Sequence, residues 1–191
     1  ALLAPLLAPY DPSDHKLSQG LAAPSGDHLF GQDKMGRDVL SRLMFGARIS
    51  LYVGFTTMAV SLLIGTLLGV ACGYLGGIAD ELLSRVMDVL LAFPGILLAL
   101  AFMAVLGPGI HNVVLALCTV GWVTYARLAR GQTLALKEKA FVQSAKGLGC
   151  STPHVVFHHL IPNLAAPLLV EAAFGVGSAI VGEAGLSFLG M

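Results

Sequence analysis

The sequence predicts an all-α, polytopic membrane helix bundle, and three observations carry that prediction. Of 191 residues, 56% are hydrophobic and 12% are charged, against roughly 25% charged in an ordinary soluble domain. Mean hydropathy is +0.82. The charges are also segregated, since Ile49 to Ala79 and Val89 to Ala126 contain no Asp, Glu, Lys or Arg. Disorder is excluded, because it needs low hydrophobicity and high charge. A soluble globular domain is disfavoured, because so few charges could not cover its surface. Eleven basic residues balance eleven acidic ones, so no basic field points to nucleic acid. The 23 glycines suit helices packed closely in a bilayer.

In chain order, residues 1–8 are apolar but far short of the ~20 residues that a span needs. No basic n-region precedes them, and they are expected to be the tail of a first span. Residues 9–48 are punctuated by Pro9, Pro12, Gly20, Pro24, Gly26 and Gly31, which predicts irregular backbone. Toward the end of that stretch Val39, Leu40, Leu43 and Met44 fall at helical spacing, with Arg42 and Arg48 off their face. That pattern predicts a short interfacial helix. The first complete span follows from Ile49 and ends near Gly76-Gly77. Gly65, Gly69, Gly73 and Gly77 recur every fourth residue, a stripe that lets another backbone approach.

Asp80 to Asp88 is amphipathic, with Glu81 and Arg85 at i, i+4. The charge-free run after it is too long for one span and suits two. Gly107-Pro108-Gly109 with His111-Asn112 marks the turn between them, and Pro94 should kink the first. The second ends near Ala126, with Arg127 and Arg130 placed to snorkel. Arg127 to Asn163 forms a long polar connection. The last span covers about Leu164 to Gly182, with Gly175, Gly177 and Ala179 as a small-residue face. Glu171 lies inside it, where an ionised carboxylate is costly. It is expected either to line a pathway or contact a partner, or to be solvated or hydrogen-bonded near the span's end. Four complete spans result. Positive charge does not orient them: five basic residues (Lys16, Lys34, Arg37, Arg42, Arg48) face six (Arg85, Arg127, Arg130, Lys137, Lys139, Lys146).

No catalytic constellation is present: there is no G-x-S-x-G, Walker A or H-E-x-x-H. Cys72, Cys118 and Cys150 form no C-x-x-C and are expected to be packing residues. His154, His158 and His159 have a spacing that could reach one metal ion, but they are expected to be polar surface, so no metal site is predicted. The informative segment is Lys139-Ala140-Phe141-Val142-Gln143-Ser144-Ala145-Lys146-Gly147-Leu148-Gly149, followed nine residues later by His159-Leu160-Ile161-Pro162. A short helix, a C′ glycine at Gly149 and a second helix opened by Ser151, Thr152 and Pro153, as an N-cap followed by proline at the first helical position, fit this text. Small residues at Ser144, Ala145 and Gly149 would admit a partner surface.

This segment resembles the EAA loop of ABC-importer permeases, whose pattern is E-A-A, three residues, G, nine residues, I-x-L-P. Gln143-Ser144-Ala145 stands for E-A-A, Gly149 for the glycine, and His159 to Pro162 for I-x-L-P. The departures are Gln143, Ser144, His159 and Ile161. Gly31, Asp33, Gly36, Arg37 and Asp38 resemble the G-x-D-x-x-G-R-D signature of the dipeptide/oligopeptide/nickel permease subfamily, of the dipeptide permease C type. Ala92-Phe93-Pro94, Ala126 to Gly131 and Glu183 to Gly190 extend the likeness in order over nearly the whole chain.

The resemblance implies the type I ABC importer permease fold, with six spans, of which most of the first and all of the last would lie outside this sequence. It implies an extracytoplasmic segment at 9–48 and a transmembrane domain at 49–191 with a cytoplasmic coupling loop at 131–163. Phe141, Gln143, Ser144, Ala145, Gly149, His159 and Pro162 would be coupling residues. It further implies a multi-pass subunit of a bacterial or archaeal cytoplasmic (inner) membrane that imports di- or oligopeptides, or nickel or glutathione-type solutes. The partners would be a second homologous permease, two ABC ATPases and an extracytoplasmic solute-binding protein. ATP and Mg would belong to the ATPases, leaving this chain a non-enzyme with no cofactor of its own. An ATP-independent channel or secondary transporter is the alternative, and co-purification of ATPase subunits separates the two.

Overall fold

The computed structural model describes residues 3–16 and 20–190, so residues 1 and 2 of the expected first-span tail, and Met191, lie outside the described residues. The described chain is helical: α1 (Ala4–Leu7), α2 (Val39–Leu75), α3 (Gly77–Leu91), α4 (Gly95–Leu106), α5 (Ile110–Leu136), α6 (Ala140–Gly147) and α7 (Thr152–Phe188). Contacts divide it into two units between Tyr52 and Val53.

In the first unit the signature residues build a compact loop. Gly31 and Gly36 sit at φ +70 and +71, where a side chain is strained. Asp33 accepts from the amides of Met35 (2.8 Å) and Arg37 (3.0 Å) and from Arg37 Nε (2.7 Å), and it also pairs with Arg42. Asp38 Oδ2 accepts from the Ser41 amide at 2.7 Å, capping the first turn of α2. Its other oxygen lies 2.9 Å from His28 Nδ1. Tyr10 packs on that ring, with centroids 4.6 Å apart. The side-chain bond from Arg37 chiefly holds the Asp33 carboxyl well below the usual carboxylate range, against some burial. Burial pushes the Asp38 carboxyl up, but the Ser41 amide and the His28 ring outweigh it and keep it low.

Depressed folded-state values mean that the unfolded loop takes up protons first as pH falls. The loop should therefore keep constant stability above about pH 5 and lose it as pH falls below about 4. Amide protection at Gly36 and Arg37, corrected for intrinsic exchange, checks this. A loss beginning near neutral pH would contradict it.

Helix α2, which begins in the first unit and continues into the second, and helices α5 and α7 of the second unit are each long and apolar enough to cross a membrane. The pair α3–α4 is bent by 90° at its break and makes a fourth span only if counted as one broken span. The expected kink at Pro94 is thus a sharp turn: Pro94 is the N-cap of α4, where its missing N–H breaks no helical bond. Three other boundaries differ from expectation. The helix at Val39 and the first span are one continuous α2, because two arginines do not interrupt a backbone ladder. Helix α5 runs ten residues past Ala126 to Leu136. The last span begins at Thr152 rather than Leu164.

The glycine stripe packs as expected at three of its four positions. A Cβ at Gly65 would lie 2.7 Å from Tyr125 Cβ. One at Gly69 would lie 3.0 Å from Ala129 Cβ and would overlap the Ala126 carbonyl. One at Gly73 would lie 3.0 Å from the Arg130 carbonyl. Gly77 leaves the stripe and turns the chain at φ +66, facing open space. Around this seam Val70, Tyr125, Ala129, Leu164, Leu168 and Ala172 form a buried core. A second core joins Val53, Ala99, Met103, Val113, Ala116, Cys118 and Leu186. At the polar end Arg130 grips Asp80 (Nη2 to Oδ2, 2.8 Å), Arg127 reaches Asp88 (2.7 Å) and Lys137 donates to the Gly73 carbonyl (3.2 Å). These basic groups do not snorkel freely. They tie α3 and the end of α2 to α5.

Candidate functional site

Two places in the second unit hold exposed or unpartnered groups that packing alone does not use. The first is the α6 element. Val142 and Ala145 are buried in the core with Val155 and Leu160, which anchors the short helix on the bundle. Its stop is a Schellman arrangement: the Cys150 amide bonds the Ala145 carbonyl at 3.1 Å and the Gly149 amide bonds the Lys146 carbonyl at 2.9 Å. Gly149 sits at φ +81, as that motif requires. The C′ glycine was legible in sequence. The cap of α7 falls on Ser151, placing Pro153 second in the helix rather than first.

Of the expected coupling residues, Phe141, Gln143, Ser144, Gly149 and Pro162 are exposed, and His159 is half-buried. Ala145 faces inward at 7% exposure, so it packs the chain's own core, leaving Ser144 and Gly149 as the small outward residues. Gln143 Nε2 donates to the Lys137 carbonyl at 2.7 Å, fixing α6 to the end of α5. Phe141 and His159 approach with ring centroids 6.2 Å apart. The segment therefore brings its two sequence-distant halves together.

Between them Val155–Leu160 is π-helical, which the sequence did not announce. Its reason is visible in the burial: Val155 and Leu160, five apart, are both fully buried. An α-helix would turn them to different faces, whereas the wider π turn puts both on the core. From Leu160 the buried residues continue at four-residue steps through Leu164, Leu168 and Ala172.

The second place is a cleft of about 760 Å³ lined by α2, α4, α5 and α7. Glu171 lines it together with Thr57, Ser61, Tyr125, Phe174 and Gly175. Glu171 is half-buried and has no ion-pair partner among the described residues. The Tyr125 hydroxyl is buried without a hydrogen-bond partner among the described residues. A Cβ at Gly175 would collide with it, so this glycine makes room for the ring. The expected small-residue face of α7 splits accordingly: Gly175 meets Tyr125, Ala179 is buried one turn on, and Gly177 faces open space. Tyr125 was missed in sequence, since an aromatic in an apolar helix carries no signal of its own. Gly31, Asp33, Gly36, Arg37 and Asp38 belong to neither place; they fold the first unit's loop.

Against known proteins, residues 65–191 match the family model described as binding-protein-dependent transport system inner membrane component. The dipeptide transport system permease protein DppC of Alkalihalophilus pseudofirmus is 42% identical over all of this chain and 63% of its own length. The oligopeptide transport system permease protein OppC of Bacillus subtilis is 39% identical, with the same coverage. The glutathione transport system permease protein GsiD of an Escherichia coli O6 strain is 43% identical over 195 aligned residues, again 63% of its length. The chain thus spans under two thirds of the relatives it matches. With a membrane helix bundle, an anchored α6 element and a family match over most of its length, the chain belongs to the binding-protein-dependent transport system inner membrane components.

Proposed function

We propose that this chain is a permease subunit of an ATP-driven importer in a bacterial cytoplasmic membrane, moving di- or oligopeptides or closely related solutes such as glutathione. The observation that carries the reading is the α6 element. It is a short helix anchored through Val142 and Ala145 that leaves Phe141, Gln143, Ser144 and Gly149 uncovered. Relatives named for dipeptide, oligopeptide and glutathione transport support the substrate class. In this reading α6 rests in a groove of one of two ATPase subunits, which bind ATP and Mg. A second homologous permease completes the pathway. A solute-binding protein delivers cargo at the extracytoplasmic face. Closure of the ATPases pushes α6, and its rigid seat on the core passes the displacement to α5 and α7.

The reading is tested by co-purification of two ATPase subunits and by Gly149→Asp. The position faces open space, but its φ of +81 strains any L-residue by about 1 kcal/mol, and a carboxylate there would enter the ATPase groove. Transport should fall about tenfold or more, while the variant chain still accumulates in the membrane, since exposed αL substitutions are tolerated at that cost. Wild-type substrate-stimulated ATP hydrolysis and uptake in Gly149→Asp would sink the assignment of α6 as the coupling helix.

A further inference from the structure

The cleft between α2, α4, α5 and α7 has a polar arrangement that packing leaves incomplete. Tyr125 is 4% exposed, and its hydroxyl has no hydrogen-bond partner among the described residues. Buried polar groups are nearly always paired, so an orphan hydroxyl at the wall of a cleft marks a place where something else supplies the partner. The hydroxyl meets the face of Gly175, one helical turn after Glu171. Residues at i and i+4 share a face, so Glu171 and the Gly175 backbone that the hydroxyl meets lie on one side of α7, and Glu171 and Tyr125 both line the cleft. Thr57 and Ser61 of α2 also line the cleft, and their hydroxyls too are buried without a hydrogen-bond partner among the described residues. No cation among the described residues neutralises Glu171, and an uncompensated carboxylate in an apolar span is costly.

We propose that Glu171 and Tyr125 form a transient binding site for the primary ammonium of a peptide amino terminus on its way through the bundle. The proposal rests on the peptide-import reading above and names the group recognised. An ammonium carries three donors and no acceptor. One carboxylate and neighbouring hydroxyl oxygens are the acceptors it needs, and its charge offsets that of Glu171. A divalent metal would require more anionic or imidazole ligands than one carboxylate. The cleft's volume of about 760 Å³ lies within the ~300–1,000 Å³ of small-molecule sites. Its otherwise apolar walls suit short side chains without selecting among them. The site thus holds the one feature common to all free peptides and leaves the rest unread.

The test uses the complete importer, with both permeases, the ATPases and the binding protein, reconstituted in liposomes with alanyl-alanine as probe. Peptide taken up per ATP hydrolysed should fall about tenfold in Glu171→Gln, where a charge-assisted bond is lost, and about threefold in Tyr125→Phe. Glu171→Asp, which keeps the charge, should retain about half of wild-type transport or more. Unchanged uptake per ATP in Glu171→Gln overturns the site while leaving the import reading intact. Loss of the second permease from purified Glu171→Gln complexes also overturns it, since the carboxylate would then be an interface group. A wild-type complex that takes up no alanyl-alanine removes the peptide-import reading itself, and the ligand assigned here goes with it.

Discussion

Gly69→Val should destabilise the bundle by about 3 kcal/mol or more, the range of severe overpacking. The reason is local and steric. Already the Cβ would overlap the Ala126 carbonyl and stand 3.0 Å from both Ala129 Cβ and the Arg130 amide. Those neighbours are backbone or a methyl group on a straight helix, so nothing can rotate away. The branch of valine adds two more atoms to the same gap. The helices must separate, which opens contacts along the whole Gly65–Gly73 seam, and small-residue interfaces depend on that closeness. Membrane abundance and the thermal midpoint of the purified complex measure the effect. Gly77→Val is not a fair control, because Gly77 holds a positive φ. Gly177→Ala is better: the position faces open space in the middle of α7 and should be nearly neutral. A Gly69→Val protein as stable as Gly177→Ala would refute close α2–α5 packing.

Arg130→Ala should cost about 2–3 kcal/mol, because it strands one carboxylate of a partly buried pair. Arg130 meets both oxygens of Asp80, and the two side chains are only 28% and 16% exposed. Bidentate geometry and partial desolvation make this pair worth more than a surface bridge. It also joins α3 to α5 beside Gly73, whose carbonyl is held by Lys137. The exposed Glu81–Arg85 pair, at 64% and 74% exposure, provides the contrast, since Arg85→Ala should cost little. A double-mutant cycle with Asp80→Asn isolates the pairwise energy. Coupling near zero would show the arginine acting through packing alone.

Much of this architecture could be read from residue patterns, for reasons that differ by element. The Gly65–Gly73 stripe, the Gly107–Asn112 turn and the Gly149 stop were legible because each depends on one residue type at one spacing. Asn112 confirms the turn by donating to the Leu106 and Gly107 carbonyls at 2.9 and 3.1 Å. Helix boundaries were less legible, because charge marks where apolar solvent ends, not where a backbone ladder ends. Hence α2 and α7 both run beyond their apolar cores. The 90° bend at Pro94 was legible as a break but not as a change of direction, which depends on packing around Ala99 and Met103. The α6 face was half legible: composition pointed to small residues, but only tertiary packing turns Ala145 inward. That Glu171 and Tyr125 line one cleft was invisible, since it needs α5 and α7 to be neighbours with a known rotation.

The π-helical stretch at Val155–Leu160 has a consequence for how this segment tolerates insertions and deletions. Each π bond encloses one residue more than an α bond, so the stretch holds surplus chain. Removing one residue there lets the helix relax to regular α geometry. Val155 and Leu160 would then stand four apart and still share one face, so α6 keeps its seat. Removing a residue from the regular α turns of Ile161–Phe188, in contrast, would rotate everything before it by about 100°. Substitutions that keep Val155 and Leu160 apolar leave this phase untouched. The angular setting of α6 thus has one residue of slack in this stretch and none in the α-helical turns after it.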